Sequence, residues 1–275
     1  MSPSPKRQPM GRAFTKEIRH MDNIDFNRKF MHCPTNVPEI MAKSDQTKGI
    51  AAPPHSKART GEVITLPSFK GVLKDISYEE LLDMRRSERV YKDEPISGEQ
   101  LAFMLWSTQG IQDFRGHNNV ATLRPAPSGG ARHPFELYIA VRSVTGLEPG
   151  FYRYLPLENV GKKDVAIEFI GSFEDDYHKQ MKALLMGQTW GVHASVVLFY
   201  SCVPYKSEWR YVEASHRVVL IDLGHVGQNA MLSAVALGLG SCCLAAYDQK
   251  LCDEALGLNG IDEYTVYAIP VGVVN

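Results

Sequence analysis

The stretch from about Glu213 to Leu239, inside VEASHRVVLIDLGHVGQNAMLSAVALGLG, constrains this chain more than any other segment. It keeps a helical pattern longer than any neighbour and is apolar on nearly every side. Such a helix belongs in a core or across a subunit interface, not on a water-washed surface. The fold must therefore be organised around one long helix. His225, in GHVGQN, reads as a buried, hydrogen-bonded residue of that helix rather than a catalyst.

The elements around it alternate in type. SYEELLDMRR opens with Ser77 as N-cap and Glu80 three residues later, a capping box on a short helix. Ser97 and Gln100 repeat the device ahead of LAFMLWSTQG, whose apolar positions suit a buried helix. FELYIAV (135–141), FYRYLP, VAIEFI, ASVVLFYS (194–201), SCCLAAY and YTVYAIPVG are β-branched or aromatic runs and predict strands. Gly146, Pro149 and Gly150 supply a turn between the first two. SFEDDYHKQMKALLMG (172–187) and DQKLCDEALG, with Gly257 as stop, predict helices. Strands and helices are interspersed without a regular βαβ rhythm, so the fold class is α+β.

Residues 1–75 stand apart. They are rich in Pro, Lys, Ser and Asp, and Pro53-Pro54 and Pro67 interrupt whatever begins there. They read as an irregular, surface-wrapping arm, with one domain over 76–275. With 275 residues, 44% hydrophobic, the chain can bury a sizeable core. The net charge of -1 gives no global field for nucleic acid. No apolar run of membrane-spanning length and no signal-peptide core is evident, so the expectation is a cytoplasmic protein with no membrane partner. Five cysteines without regular spacing make no disulfide framework. Cys242-Cys243 sit in an apolar run, where inert thiols are commoner than redox pairs. Nine histidines never pair with Cys, Asp or Glu at ligand spacing, so no metal is expected.

Three stretches carry candidate chemistry. GLGSC (238–242) has a dinucleotide-like glycine pattern, but it ends a helix and precedes a strand, the reverse of a Rossmann loop. It reads as a helix C-cap. MRRSERVY (84–91) gathers Arg85, Arg86 and Arg89 around Ser87. That set is either a solvated charge run at a helix end or a clamp for a phosphate dianion. RPAPSGGARHPFELYIAV (124–141) has two glycines that permit close backbone approach, then Arg132 and His133, which point to an anion.

Taken in order, the two basic stretches resemble the nitroreductase family of FMN-dependent oxidoreductases. The likeness is greater to its SagB-type dehydrogenase branch, which includes azoline oxidases. GFYRYLPLEN, GQTWGVHASVVLFY and the long helix with its following strand extend the likeness over about residues 75–272. FTKEIRHMDN (14–23) resembles the branch's N-terminal segment more weakly. The resemblance implies a mostly antiparallel sheet wrapped by helices, and an intertwined homodimer with the long helix at its two-fold interface. It implies FMN gripped by Arg85, Ser87 and Arg89, with Arg86 between. Pro127, Ser128 and Gly129 would reach the flavin from the partner subunit. Gln188 would meet the pyrimidine edge, and Leu244, Ala245 and Ala246 would face the ring.

The implied activity is ping-pong hydride exchange between NAD(P)H and a small organic acceptor. Its alternatives are oxidation of a peptide azoline by oxygen, and a flavin-binding partner subunit of low activity. The chain departs from the pattern at three places. Arg210-Tyr211 stand where azoline oxidases carry Lys-Tyr, and arginine stays protonated. Ala245-Ala246 replace Glu-Gly. No cation follows the last strand, which implies either weaker flavin binding or compensation by Arg132 of the glycine loop.

Overall fold

The computed structural model describes residues 14–32, 36–174 and 176–275, with side chains from residue 23 onward. The N-terminal part contributes α1 (Phe14–Met31), α2 (Val37–Ala42) and β1 (Val63–Leu66). Next come α3 (Tyr78–Met84), α4 (Gly98–Gln109), the hairpin β2 (Asp113–Arg115) and β3 (Ala121–Leu123), then β4 (Phe135–Val141), β5 (Gly150–Tyr154) and β6 (Val165–Gly171). The chain continues through α5 (Tyr177–Leu184), α6 (Thr189–Val192), β7 (Val196–Cys202), α7 (Tyr205–Tyr211), α8 (Ser215–Ala236), β8 (Leu239–Ser241), α9 (Gln249–Leu256) and β9 (Tyr264–Val273).

Seven strands form one sheet in the order β1-β6-β5-β4-β7-β9-β8, and every neighbouring pair is antiparallel. Side chains alternate between its faces. Leu137, Ile139 and Val141 of β4 join Leu198, Tyr200 and Ile269 in a core completed by α4 and α8. Tyr138 and Ala140 face the other way, with Phe199 and Ala268, toward α5 and α9. Every residue of β4 and β7 is buried, as two covered faces require.

The local signals act as read. Ser77 and Ser97 each accept from the backbone N–H three residues on, and Glu80 and Gln100 each accept from the cap's N–H. Gly257 ends α9 in the left-handed region, at φ 68°. Gly238, at φ 72°, turns the chain out of α8 into β8.

Several expectations need correction. The first 75 residues are not irregular throughout: β1 is the edge strand of the main sheet, in register with β6 from Val63↔Glu168 to Leu66↔Val165. Residues 56–61 are laced to the sheet by buried charges. Glu136 accepts from Ser56 Oγ at 2.7 Å, Lys57 N at 3.0 Å and Lys206 Nζ at 2.5 Å. Arg153 donates to Glu168 and to the carbonyls of Lys57 and Ala58, while Glu168 accepts from the N–H groups of Thr60 and Gly61.

SCCLAAY is strand only to Ser241, after which a single bridge joins Leu244 to Ala268. The long helix spans Ser215–Ala236 and is apolar without being buried all round. Val219, Leu223, Val226, Ala230 and Ala234 enter the core, whereas Leu220 and Ile221 are 53% and 47% exposed. His225 lies on the exposed side, not in the core. By length and composition Tyr205–Ala236 would also cross a membrane, but half of its apolar window is packed inside the fold.

Candidate functional site

Helix α3 stops at Met84, and Arg85 leaves it in an extended conformation. The chain from Arg85 to Lys92 then runs along β8 and the end of β9. Glu88 N donates to Ser241 O at 3.0 Å and Lys92 N to Val273 O at 2.9 Å. Tyr91 Oη donates to Glu88 O at 2.8 Å and to Pro270 O at 3.3 Å.

The basic side chains of this segment differ in commitment. Arg86 curls back, its Nη1 donating to the carbonyl oxygens of Asp83 and Arg85. Arg89 sits over the Trp190 ring, 5.6 Å from its centre. Arg85 is half-buried, and among the described residues neither its guanidinium nor the Ser87 hydroxyl has a hydrogen-bond or ion partner. Burial raises the Cys243 thiol pKa, and Arg85 acts in the opposite sense. The Glu88–Ser241 backbone bond sets the segment from Arg85 to Arg89 against the 241–246 strip.

The strip itself is held from the other side. Gln188 Nε2 donates to Ala246 O at 3.0 Å, and Gln188 Oε1 accepts from Trp190 Nε1 at 3.1 Å. Leu244 is buried and bridged to Ala268, while Ala245 and Ala246 are exposed. Arg85, Ser87, Arg89, Trp190, Gln188 and Ala246 thus rim one surface. Uncommitted guanidinium and hydroxyl donors there fit the phosphate of FMN, which needs cations and hydrogen-bond donors together.

A second set of predicted residues gathers elsewhere. Asp222 on α8 accepts from Ser128 Oγ at 2.6 Å and from Gly129 N at 3.0 Å. Burial raises its carboxyl pKa, while the Ser128 and Gly129 donors hold it back. The glycines are sterically required. A Cβ on Gly129 would stand 2.4 Å from Val218 Cγ1, and one on Gly130 would stand 2.7 Å from Arg210 Nε and Tyr211 Oη. Gly130, Ala131 and His133 have φ of 57°, 53° and 44°, so the loop is tightly wound. Pro127 is exposed at its tip. His133 is buried, which depresses its pKa to about 3 and keeps the ring neutral.

Arg132 stacks on Trp209, 4.9 Å from the ring centre, and donates to Gly130 O and Val120 O. Arg210 Nη1 donates to Gln46 Oε1 at 2.8 Å, and its buried Nε has no partner among the described residues.

Within one chain the two sets stay apart. Among the described residues no hydrogen bond, ion pair or ring contact joins them. Asp222 holds the second set, while Cys243 of the first lies against Gly227. Five helical residues place those two positions about 140° apart around α8.

The sequence profile of the nitroreductase family matches residues 82–273. The chain belongs to the nitroreductase family. A protein of Methanocaldococcus jannaschii named as a nitroreductase is 30% identical over 200 residues, 73% of this chain and 92% of that one. The trifolitoxin-processing protein TfxB of Rhizobium leguminosarum bv. trifolii is 30% identical over 156 residues, 54% of this chain. The chain spans only 39% of that relative's length. In fold, the nitroreductase chain is similar to one in the E. coli microcin synthetase McbBCD complex, with a TM-score of 0.55 and 19% identity over 97% of this chain and all of that one.

Sequence reading missed Asp222, which sits among apolar residues in VVLIDLG and carried no motif. It also missed Gln46, in the N-terminal arm. The one available signal was that an isolated acid in an apolar helix is buried only with partners.

Proposed function

We propose that this nitroreductase is an FMN-dependent oxidoreductase that exchanges hydride between NAD(P)H and a small organic acceptor in ping-pong order. The observation that carries the reading is the pair of donors Arg85 and Ser87, uncommitted among the described residues, on a segment bonded to the strip that starts at Ser241. Bound FMN supplies a ring that accepts and returns hydride. Arg85, Ser87 and Arg89 hold its phosphate. Gln188, fixed by Trp190 and Ala246, borders the ring and excludes water from that edge. Simple hydride exchange asks for no nucleophile or carboxylate pair, so none is assigned.

The separation of the two residue sets supports a homodimer in which Pro127, Ser128 and Gly129 of one copy approach the flavin of the other. Asp222 fixes the loop for that reach. The exposed Leu220 and Ile221 on α8 supply the apolar face such a pairing would cover. We place the working protein in the cytoplasm, acting on a small molecule without nucleic acid or membrane.

Resemblance to the trifolitoxin-processing protein favours a second reading, oxidation of a peptide heterocycle with oxygen as acceptor. That chemistry needs a base, and Arg210 stays protonated. Tyr211 is the neighbouring hydroxyl.

The test is direct. The purified chain should be yellow and release FMN, not FAD, on heating, as identified by chromatography. Anaerobic NADH or NADPH should bleach the flavin. Bleaching by a thiazoline-containing peptide alone would favour the second reading, and bound flavin that ignores both would favour a partner subunit of low activity. A colourless chain that ignores added FMN would refute all three.

A further inference from the structure

Arg132 and Arg210 form an unusual pair for a folded interior. Arg132 is 7% exposed, and its pKa is lowered by burial first and by Arg210 second. Neither guanidinium has an ion pair among the described residues. Of the acids on the elements that carry these residues, Asp222 is bonded to Ser128 and Gly129, Glu208 lies 3.6 Å from His216, and Asp45 is bonded to Lys48 and Tyr205, while Glu213 is exposed. The partners these arginines do have are uncharged, namely the carbonyls of Gly130 and Val120, the amide of Gln46 and the rings of Trp209 and Tyr211.

Two like charges, one buried and one partly buried, with an Arg210 Nε–H that donates to nothing among the described residues, are costly unless an anion joins them. Tyr211 Oη adds a hydroxyl at the same place, since a Cβ on Gly130 would touch it and Arg210 Nε equally, at 2.7 Å. Gly130 is itself exposed, so the group is reached from solvent at the loop tip.

We infer that Arg132, Arg210 and Tyr211 form a carboxylate-binding subsite, so the organic substrate of this nitroreductase is an acid whose carboxylate docks there. The inference rests on the proposed flavin reading, in which the Ser128–Gly129 loop borders the reacting ring. Planar guanidinium forks match a carboxylate, and a hydroxyl donor completes its coordination. An arginine at position 210 then has a purpose that a general base would not serve: it orients the substrate. Arg210 and Arg132 are positioning residues for whichever carbon exchanges hydride.

The experiment uses the full chain saturated with FMN and reads binding calorimetrically. Benzoate is the probe, benzamide its neutral counterpart, and inorganic phosphate the competitor. Benzoate should bind saturably and at least about tenfold more tightly than benzamide, in keeping with charge-assisted hydrogen bonds. Arg210→Gln should remove that preference, so that benzoate and benzamide bind with equal affinity. Arg210→Lys, which keeps the charge but loses the fork, should restore only part of it.

Equal affinity for benzoate and benzamide would overturn the inference, as would a benzoate affinity that Arg210→Gln does not change. Displacement of benzoate by equimolar phosphate would identify a general phosphate site and overturn the carboxylate assignment. If the chain binds no flavin, the proposed function fails by itself. The same titration on the flavin-free chain still reads the subsite, so the two failures are distinguishable.

Discussion

Lys206→Met should be among the most damaging single changes outside the candidate site. The Lys206 and Glu136 side chains are only 6% and 1% exposed, and their charged atoms lie 2.5 Å apart. Burial alone would raise the Glu136 pKa; Lys206 and Ser56 outweigh it and hold the carboxyl below its ordinary value. Methionine keeps the volume and removes the bonded cation, leaving the carboxylate its hydrogen bonds from Ser56 and the Lys57 N–H and only the more distant charges of Arg153 and Arg124. Breaking a buried pair from one side costs about 3–5 kcal/mol.

The pH dependence has a definite sign. In the parent the depressed pKa makes this stabilisation present above the unfolded carboxyl value and lost as pH falls through the folded one, so between pH 5 and 7 it is flat. In the variant the stranded carboxyl has a raised pKa and keeps its proton in the folded state. Stability therefore falls as pH rises over the same interval, by about 1.4 kcal/mol per unit while the folded pKa stays above the pH. Urea denaturation of both proteins at pH 5 and pH 7 measures this. Adding Glu136→Gln should recover at least about 1 kcal/mol at pH 7, because the amide oxygen still accepts from Ser56 and Lys57. A Lys206→Met loss under about 1 kcal/mol, with the parent's pH profile, would refute the reasoning.

The other predictions concern the site and its supports. Arg85→Ala and Arg89→Ala should each weaken FMN binding, measured by flavin fluorescence, by the roughly 1.5–3 kcal/mol of a charge-assisted phosphate contact. Arg86→Ala should change it by less than about 0.5 kcal/mol, since that guanidinium is turned onto its own helix end. Ile221→Asp, on the exposed side of α8, should dissociate the proposed dimer and release flavin together, as light scattering and absorbance on one sample will read; a flavin-bound monomer would show a site built within one chain. His133, with its pKa depressed to about 3, takes up no proton in the folded state while its unfolded counterpart protonates below about 6.5. Its contribution to stability should thus fall from pH 6.5 toward 3, by about 2 kcal/mol at pH 5, and His133→Asn, an asparagine at a φ of 44° that suits it, should flatten that limb.

What could be read from the sequence follows from what each residue's neighbours are. Capping boxes at Ser77 and Ser97 and the stop at Gly257 are local devices, complete within a few residues, and all three are present. The strands of the sheet centre are covered on both faces and read as continuous apolar runs. Non-local pairing was not legible. Lys57 meets Glu136 and Glu263 only because the chain returns after long excursions, so β1 and its anchors looked like arm. Likewise the apolar composition of α8 could not tell which side meets solvent, because Leu220 and Val219 are chemically alike and differ only in what packs on them. The arginines at 85, 86 and 89 read as one group, yet backbone geometry turns Arg86 away and leaves Arg85 free.

The edge strand β1 bears on where this protein can be cut. The family match begins at residue 82, but the main sheet begins at Val63. A chain started at the family boundary would lose the strand that covers β6, exposing a row of unpaired N–H and C=O groups ready to recruit another copy. It would also take Ser56 and Lys57 from Glu136, and leave Arg153 and Glu168 without four backbone partners. Aggregation of such a truncated chain would report a missing edge guard, and would carry no information about whether the remaining residues can bind flavin.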